Sequence, residues 1–447
     1  PQYWYKLDEG SGTAVEDHGT ATDIDGTITG ATYTNGTLDL DDDLFIGTAG
    51  DSPVKGFLSA PRGVLNCAGF FRDNGTFTHN SGEVIMSGAG QDIDGNSTTT
   101  FFNLTSENFI DVTKSINVEN KMKATGSNSW RFVNNQTITM GTATSAGEIE
   151  TGTASGKGMR FTNVNKTYKF EAVNPQLFPW VGTDGGAGWN VTAAGNTIEL
   201  KGCDMQFAFD TQGSGGSEAV TWKLTGDCEF DAVTVSSGDT LDLNGQRAEF
   251  SGLLTISGDN GLKDTAGGAF LYTNGITYSS GTQSSTLSNT TYVAQDGANS
   301  HKVQAFIFDK VVTTRNGNID FARYGPFNTG TDVIAANTGN LTNWGRNGSV
   351  SNNNILNSLT IATNSTVLPE SATLTVAGDF TTSGGLVNLS AFKGVYDDKD
   401  YIKVADHADL DVTNTFTAEI WFRSTRNDVH QYLFDRRGGS SGAVKSW

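Results

Sequence analysis

Thr197-Ile198-Glu199-Leu200-Lys201-Gly202, Thr221-Trp222-Lys223-Leu224-Thr225-Gly226 and Thr240-Leu241-Asp242-Leu243-Asn244-Gly245 nearly superimpose. In each, apolar residues alternate with polar ones and a glycine closes the run. A period of two gives a strand one buried face and one wet face. The closing glycines are 226 − 202 = 24 and 245 − 226 = 19 residues apart, and an aromatic follows each run, at Phe207, Phe230 and Phe250. A repeat of roughly 20 to 25 residues that reads strand, glycine turn, strand predicts a coil of a right-handed parallel β-solenoid. One coil cannot bury its inner face alone. Stacking on the next coil closes the backbone ladder and the core together.

Outward from this stretch, the same pattern returns. Phe77 to Gly88, Leu254-Thr255-Ile256-Ser257-Gly258 and Leu374-Thr375-Val376-Ala377-Gly378-Asp379-Phe380 all fit it. The solenoid is therefore expected over 51–385, with a plain β-sandwich as its rival. Residues 301–350, with Arg315, Arg323 and Arg346 among Gly and Asn, read as an irregular excursion. Cys203 and Cys228 fall just after the glycines of successive coils. That placement predicts two stacked buried thiols; the alternative is a disulfide, which needs Cα atoms within about 7 Å.

Composition supports an all-β chain. It has 55 Gly in 447 residues, only 17% charged residues, and many Thr, Ser and Asn. Short polar turns between short strands produce this balance. No long stretch places apolar residues at i, i+3, i+4 and i+7. The net charge of −20 and the lack of a basic stripe argue against nucleic acid as a partner. No run of about 20 apolar residues appears, so no membrane span is expected. With Cys67 the cysteines number 3, too few for a disulfide scaffold or a thiolate zinc site.

The two ends read differently. Tyr3-Trp4-Tyr5-Lys6-Leu7-Asp8-Glu9-Gly10-Ser11-Gly12-Thr13 leads to Asp25-Gly26-Thr27-Ile28-Thr29-Gly30-Ala31-Thr32-Tyr33. Near the other end, Phe392-Lys393-Gly394 precedes Asp400-Tyr401-Ile402-Lys403-Val404, followed by Phe416-Thr417-Ala418-Glu419-Ile420-Trp421-Phe422-Arg423. Both stretches resemble strands of laminin-G/concanavalin-A-like jelly rolls, over residues 3–33 and 392–437. The resemblance implies partial jelly-roll modules at 1–50 and 386–447, flanking the solenoid. A jelly roll needs more chain than either piece offers, so the sequence is expected to be part of a longer protein.

Candidate chemistry is sparse. Glucanases of the jelly-roll superfamily need two or three carboxylates on one strand face, and Glu419 stands alone. Asp92 with Asp94, and Asp227 with Glu229, are spaced to share strand faces, but neither pair brings a third group. The reading is therefore a non-catalytic protein, with cleavage of polysaccharide on the solenoid as the minor alternative. Sugar binding needs exposed aromatics beside hydrogen-bonding loops. Trp180 and Trp189 flank the loop Gly182-Thr183-Asp184-Gly185-Gly186-Ala187-Gly188, so Trp180, Trp189 and Asp184 are the candidate glycan contacts. Trp222, inside a repeated strand, reads as core, and Trp344 is a further candidate. Asp397, Asp398 and Asp400 cluster before a strand and are the candidate calcium ligands. No other cofactor is implied.

This mixture of jelly-roll pieces and Gly/Thr/Asn-rich repeats resembles large structural proteins of phages. The resemblance implies a virion structural and adhesive protein, a fragment of a tail fibre or similar appendage. Its expected partners are host-surface polysaccharide, other virion proteins and further copies of itself, as a trimer. The alternative is an extracellular bacterial adhesin or surface filament.

Overall fold

The computed structural model describes residues 14–15, 26–27, 36–47, 56–125, 129–151, 158–173, 175–182, 189–191, 193–211, 218–258, 260–280, 286–295, 299, 301, 303, 306–313, 319–320, 332–335, 340–344, 354–361, 366–369, 374–376, 378–382, 386–387 and 403–404. Among these residues there is no α-helix, and the strands form a parallel β-solenoid of about ten turns. Each turn runs through three faces. In one coil, Asn196–Lys201 lies on the first face, Cys203–Met205 on the second and Phe209–Asp210 on the third. The chain then returns to the first face at Val220–Leu224. Each strand hydrogen-bonds to its counterpart one turn on, so the ladders run along the solenoid and not around it.

The repeat spacing in the sequence is the coil length in the structure. Leu200 pairs with Leu224, a step of 224 − 200 = 24, and Trp222 with Leu241, a step of 241 − 222 = 19. The aromatic register differs. Phe230 stacks on Phe250, but the rung below is Met205, and Phe207 lies beyond it towards the corner. Gly202 and Gly245 close their runs at φ +70° and +76°, a left-handed conformation that favours glycine. A Cβ on Gly202 would also stand 2.8 Å from the Ala172 methyl of the preceding coil.

Alternation within each strand builds the core. On the second face one inward column runs Leu65, Val84, Leu104, Met122, Ile149, Trp180, Met205, Phe230, Phe250. None of these is more than 3% exposed. On the third face Phe71, Ile93, Val112, Phe132, Phe161 and Val191 form another column. Burying such a side chain stabilises by roughly 1.5–3 kcal/mol relative to leaving it in water. In a solenoid that gain exists only between neighbouring coils.

The corners explain the abundance of Asn, Thr and Ser. Asn108 donates its amide to the Ser87 carbonyl at 2.7 Å, Asn134 to Thr113 at 3.0 Å, Asn244 to Leu224 at 2.9 Å and Asn274 to Ser251 at 2.7 Å. Thr113, Thr125 and Thr225 do the same with their hydroxyls. Each bond satisfies a carbonyl of the preceding coil where the strand ladder breaks off.

Several expectations meet the structure here. Cys67, Cys203 and Cys228 are free and buried, with Cys203 and Cys228 on adjacent rungs, so the stacked-thiol reading holds and the disulfide does not. Burial pushes the Cys228 thiol up to about 12. Within 301–350 the described strands belong to the solenoid and not to an excursion. Ile307–Thr313, Asp332–Ala335 and Asn340–Trp344 each pair in parallel with strands of adjoining coils. Phe308 and Val311 both turn inward in the first of these strands, on either side of a register shift, and this apolar burial outweighs the loop-like composition around it. The parallel ladder takes in Thr37–Leu40 ahead of residue 51 and Lys403–Val404 beyond residue 385. Of the jelly-roll-like stretches 3–33 and 392–437, the structure describes only an antiparallel pair, Ala14–Val15 with Gly26–Thr27, and that Lys403–Val404 strand.

Candidate functional site

The outward positions of the second face carry a polar surface that spans several coils. Asp204, Glu229, Glu249 and Tyr272 share one register column, so successive rungs place them about 4.8 Å apart. Two residues further along each strand stand Gln206, Asp231 and Ser251. Asp204, Glu229, Glu249, Gln206, Asp231 and Ser251 line a shallow groove of about 440 Å³, with Tyr272 on the next rung beyond it. It is open because Met205 and Phe230, between the two columns, point into the core.

Arg247 organises the upper end of the groove. Its guanidinium is hydrogen-bonded to Glu249, approaches Glu229 at 3.6 Å and lies 5.0 Å from the centre of the Tyr272 ring. Its backbone N–H donates to Asp227 Oδ1 at 3.0 Å. Gln295, from two coils on, donates to the other oxygen of Glu249 at 2.9 Å. At the lower end Gln206 donates to Asp204 at 2.6 Å, and from the Glu249 rung Ser251 reaches down to Asp231 at 3.4 Å. Phe270 pairs with Arg247 across the ladder and is 48% exposed, whereas Tyr272 is half-buried. The arrangement is an aromatic pair beside a trough of hydrogen-bond acceptors. Such a surface suits a polyhydroxylated ligand, whose C–H faces stack on rings while its hydroxyls donate to carboxylates. Asp204, Glu229, Asp231 and Glu249 would repel a polyanion.

Of the glycan and calcium candidates nominated from sequence, the structure describes the side chain of Trp180. Trp180 is fully buried in the core column, 5.0 Å from the Phe170 ring. Alternation in Phe178–Val181 turns Phe178 and Trp180 inward together, so Trp180 offers no stacking face to a sugar. Trp189 pairs through its backbone with Met159, but its side chain lies outside the described residues, as does Asp184. Asp397, Asp398, Asp400 and Glu419 also lie outside them, and so does the Trp344 side chain. Among the described residues no group of three or more His, Cys, Asp or Glu is placed to hold a metal ion. Trp222 is core, as its strand position implies.

The two carboxylate pairs have structural partners. Asp94 makes a two-pronged pair with Arg72, at 2.8 Å and 2.7 Å. Asp92 is held above the usual carboxylate range by burial, with Asp111 and Asp94 adding repulsion. Asp227 is occupied by the Arg247 backbone, and only Glu229 opens on the groove. Sequence reasoning missed Phe270, Tyr272, Arg247 and Glu249. The available signal was Phe270-Leu271-Tyr272-Thr273, where alternation alone permits either pair to face out.

Comparisons with protein-family models, with curated proteins and with solved structures find no match to this chain.

Proposed function

We propose that the chain is a structural and adhesive element of an extracellular appendage, a phage tail fibre in the first instance, and that it holds host-surface glycan on the outer face of the coils from Cys203 to Asn274. The observation that carries this reading is the exposed Phe270 and half-buried Tyr272 beside the Asp204–Glu249 trough. Three features support it further. Stacked coils make a stiff rod without a large globular core. Asn amides and Thr hydroxyls bridge successive coils at many corners. The acidic chain stays soluble and repels other polyanions. Trimerisation and attachment to other virion proteins belong to the same reading. A bacterial surface filament would use the same face in the same way.

A glycan array read with the wild type and with Phe270→Ala and Tyr272→Ala tests it. Stacking contacts of this kind are worth about 1 kcal/mol each, so each variant should lose roughly fivefold in affinity. Undiminished binding in both would remove this face from the reading. The spread of Asp204, Glu229, Asp231 and Glu249 over adjacent coils favours one second reading, glycan cleavage. It requires release of reducing sugar that Glu229→Gln and Asp231→Asn abolish.

A further inference from the structure

The column that carries Asp204, Glu229 and Glu249 continues past both ends of the groove. One rung below Asp204 it holds Pro179, and one rung above Glu249 it holds Tyr272. Both are half-buried and face outward, because their neighbours Phe178 and Trp180, and Leu271 and Thr273, turn into the core. The column is therefore a track that begins and ends on an apolar ring and is polar between. Pro179 to Tyr272 is four steps of the ladder, roughly 19 Å along the solenoid axis at about 4.8 Å per step.

Each polar rung offers a pair of groups. Asp204 stands beside Gln206, Glu229 beside Asp231, and Glu249 beside Ser251, in each case two residues further along the chain. The acceptors are held before any ligand arrives. Gln206 donates to Asp204, Ser251 reaches Asp231, and Arg247 and Gln295 hold one oxygen each of Glu249. Acceptors fixed in this way lose little freedom on binding. A site for a single sugar ring would gather its polar groups around one point. Here they recur along a line, once per rung.

We propose that this track binds a linear, non-anionic, equatorially linked hexose polymer lying parallel to the solenoid axis, with one ring on each rung. The proposal rests on the glycan reading of the outer face and names its ligand class. Equatorial linkages keep such a chain extended, so each ring advances it by about one rung. Its hydroxyls recur with the rungs and donate to Asp204, Glu229 and Asp231. Its C–H faces lie on the Pro179 ring at one end and on the Tyr272 ring at the other. The four carboxylates of the groove repel uronate and sulfated chains. A helical or branched chain leaves the line after a rung or two.

Isothermal titration calorimetry of the full chain with cello-oligosaccharides and with N-acetylchito-oligosaccharides, from one unit to seven, tests the track. One net hydrogen bond per added ring tightens binding roughly two- to tenfold. In at least one series affinity should climb by that factor per unit up to about five units, one for each rung from Pro179 to Tyr272, and then level off. Pro179→Ala should bring the levelling point down by one unit and leave shorter oligomers bound as in the wild type. Tyr272→Ala should do the same from the other end. Affinity that ignores length beyond the first unit overturns the track and leaves a one-ring glycan site standing. Failure of both series at every length overturns it as well, and the glycan array then decides separately whether the chain binds glycan at all. A levelling point unmoved in both variants also sinks it.

Discussion

The coils from Asn196 to Phe250 and those from Phe270 to Phe308 share one backbone ladder and bury different chemistry. In the lower coils the core is ring upon ring. Phe230 stacks on Phe250 at 4.9 Å, and Trp222 lies 5.3 Å from Phe209 while its N–H donates to the Thr211 carbonyl at 3.0 Å. One rung above Phe250 the same column becomes Thr273, and the neighbouring column runs from Leu271 to Tyr292. The strands pair in parallel across the change, so the ladder is indifferent to it. The core is not. An apolar layer needs volume in the right place, whereas a buried hydroxyl needs a named partner, and the Tyr292 hydroxyl is the partner that Thr273 and His301 share.

The largest effect expected from this difference is in the lower coils. Trp222→Ala removes the biggest side chain of its layer, against Ile198 below and Leu241 above. Loss of a buried indole costs about 3–5 kcal/mol. Because coils are coupled to their neighbours, the loss should spread one turn each way, and urea unfolding with residue-resolved exchange measures both depth and spread. A cost below about 1 kcal/mol would mean that ring packing is not what holds these coils.

Tyr292→Phe is the matching probe of the upper coils. It keeps the ring, and so the volume, and deletes only the hydroxyl. Thr273 Oγ1 and His301 Nδ1 then lose their shared partner, at an expected cost of about 1–3 kcal/mol by the same unfolding measurement. Adding Thr273→Val should recover part of that loss, since removing both ends of a buried hydrogen bond is cheaper than orphaning one. No recovery in the double variant would show that the hydroxyls act independently, and the contrast between the two regions would reduce to size alone.

How far the sequence foretells this molecule follows from the same contrast. The repeat around Thr197, Thr221 and Thr240 was readable because alternation, glycine turn and coil length agree, and all three survive in the register. Trp222 was readable as core because its neighbours Thr221 and Lys223 can only face water. Phe270-Leu271-Tyr272-Thr273 was not readable, because a strand with apolar residues on both faces does not say which face is inside. The fold turns Leu271 and Thr273 in, which creates the outer aromatic pair and the inner hydroxyl at one stroke. Trp180 shows the converse. It was judged by the loop that follows it, while its own strand, Phe178–Val181, was too short to announce its register. His301 carries no local signal, for its partners lie 9 and 6 residues away on another strand and at the corner.

The smallest effect belongs to the outer face, where charge replaces packing. Lys121 reaches Glu148 at 2.8 Å and Glu150 at 2.9 Å, and Lys123 reaches Glu150 at 2.8 Å, all on neighbouring rungs. The hydrogen bond to Glu148, then that to Glu150, raises the Lys121 ammonium above its usual range. These side chains are still about one-third exposed, so water screens most of that attraction. A double-mutant cycle of Lys121→Met with Glu148→Gln should give a coupling of about 0.2–1 kcal/mol that fades towards 1 M salt. Such a value would rank the face below both cores and leave its charges free to serve recognition. A coupling above about 2 kcal/mol that persisted in salt would instead place this network among the interactions that hold the coils together, and the division between a core that folds and a face that binds would fail there.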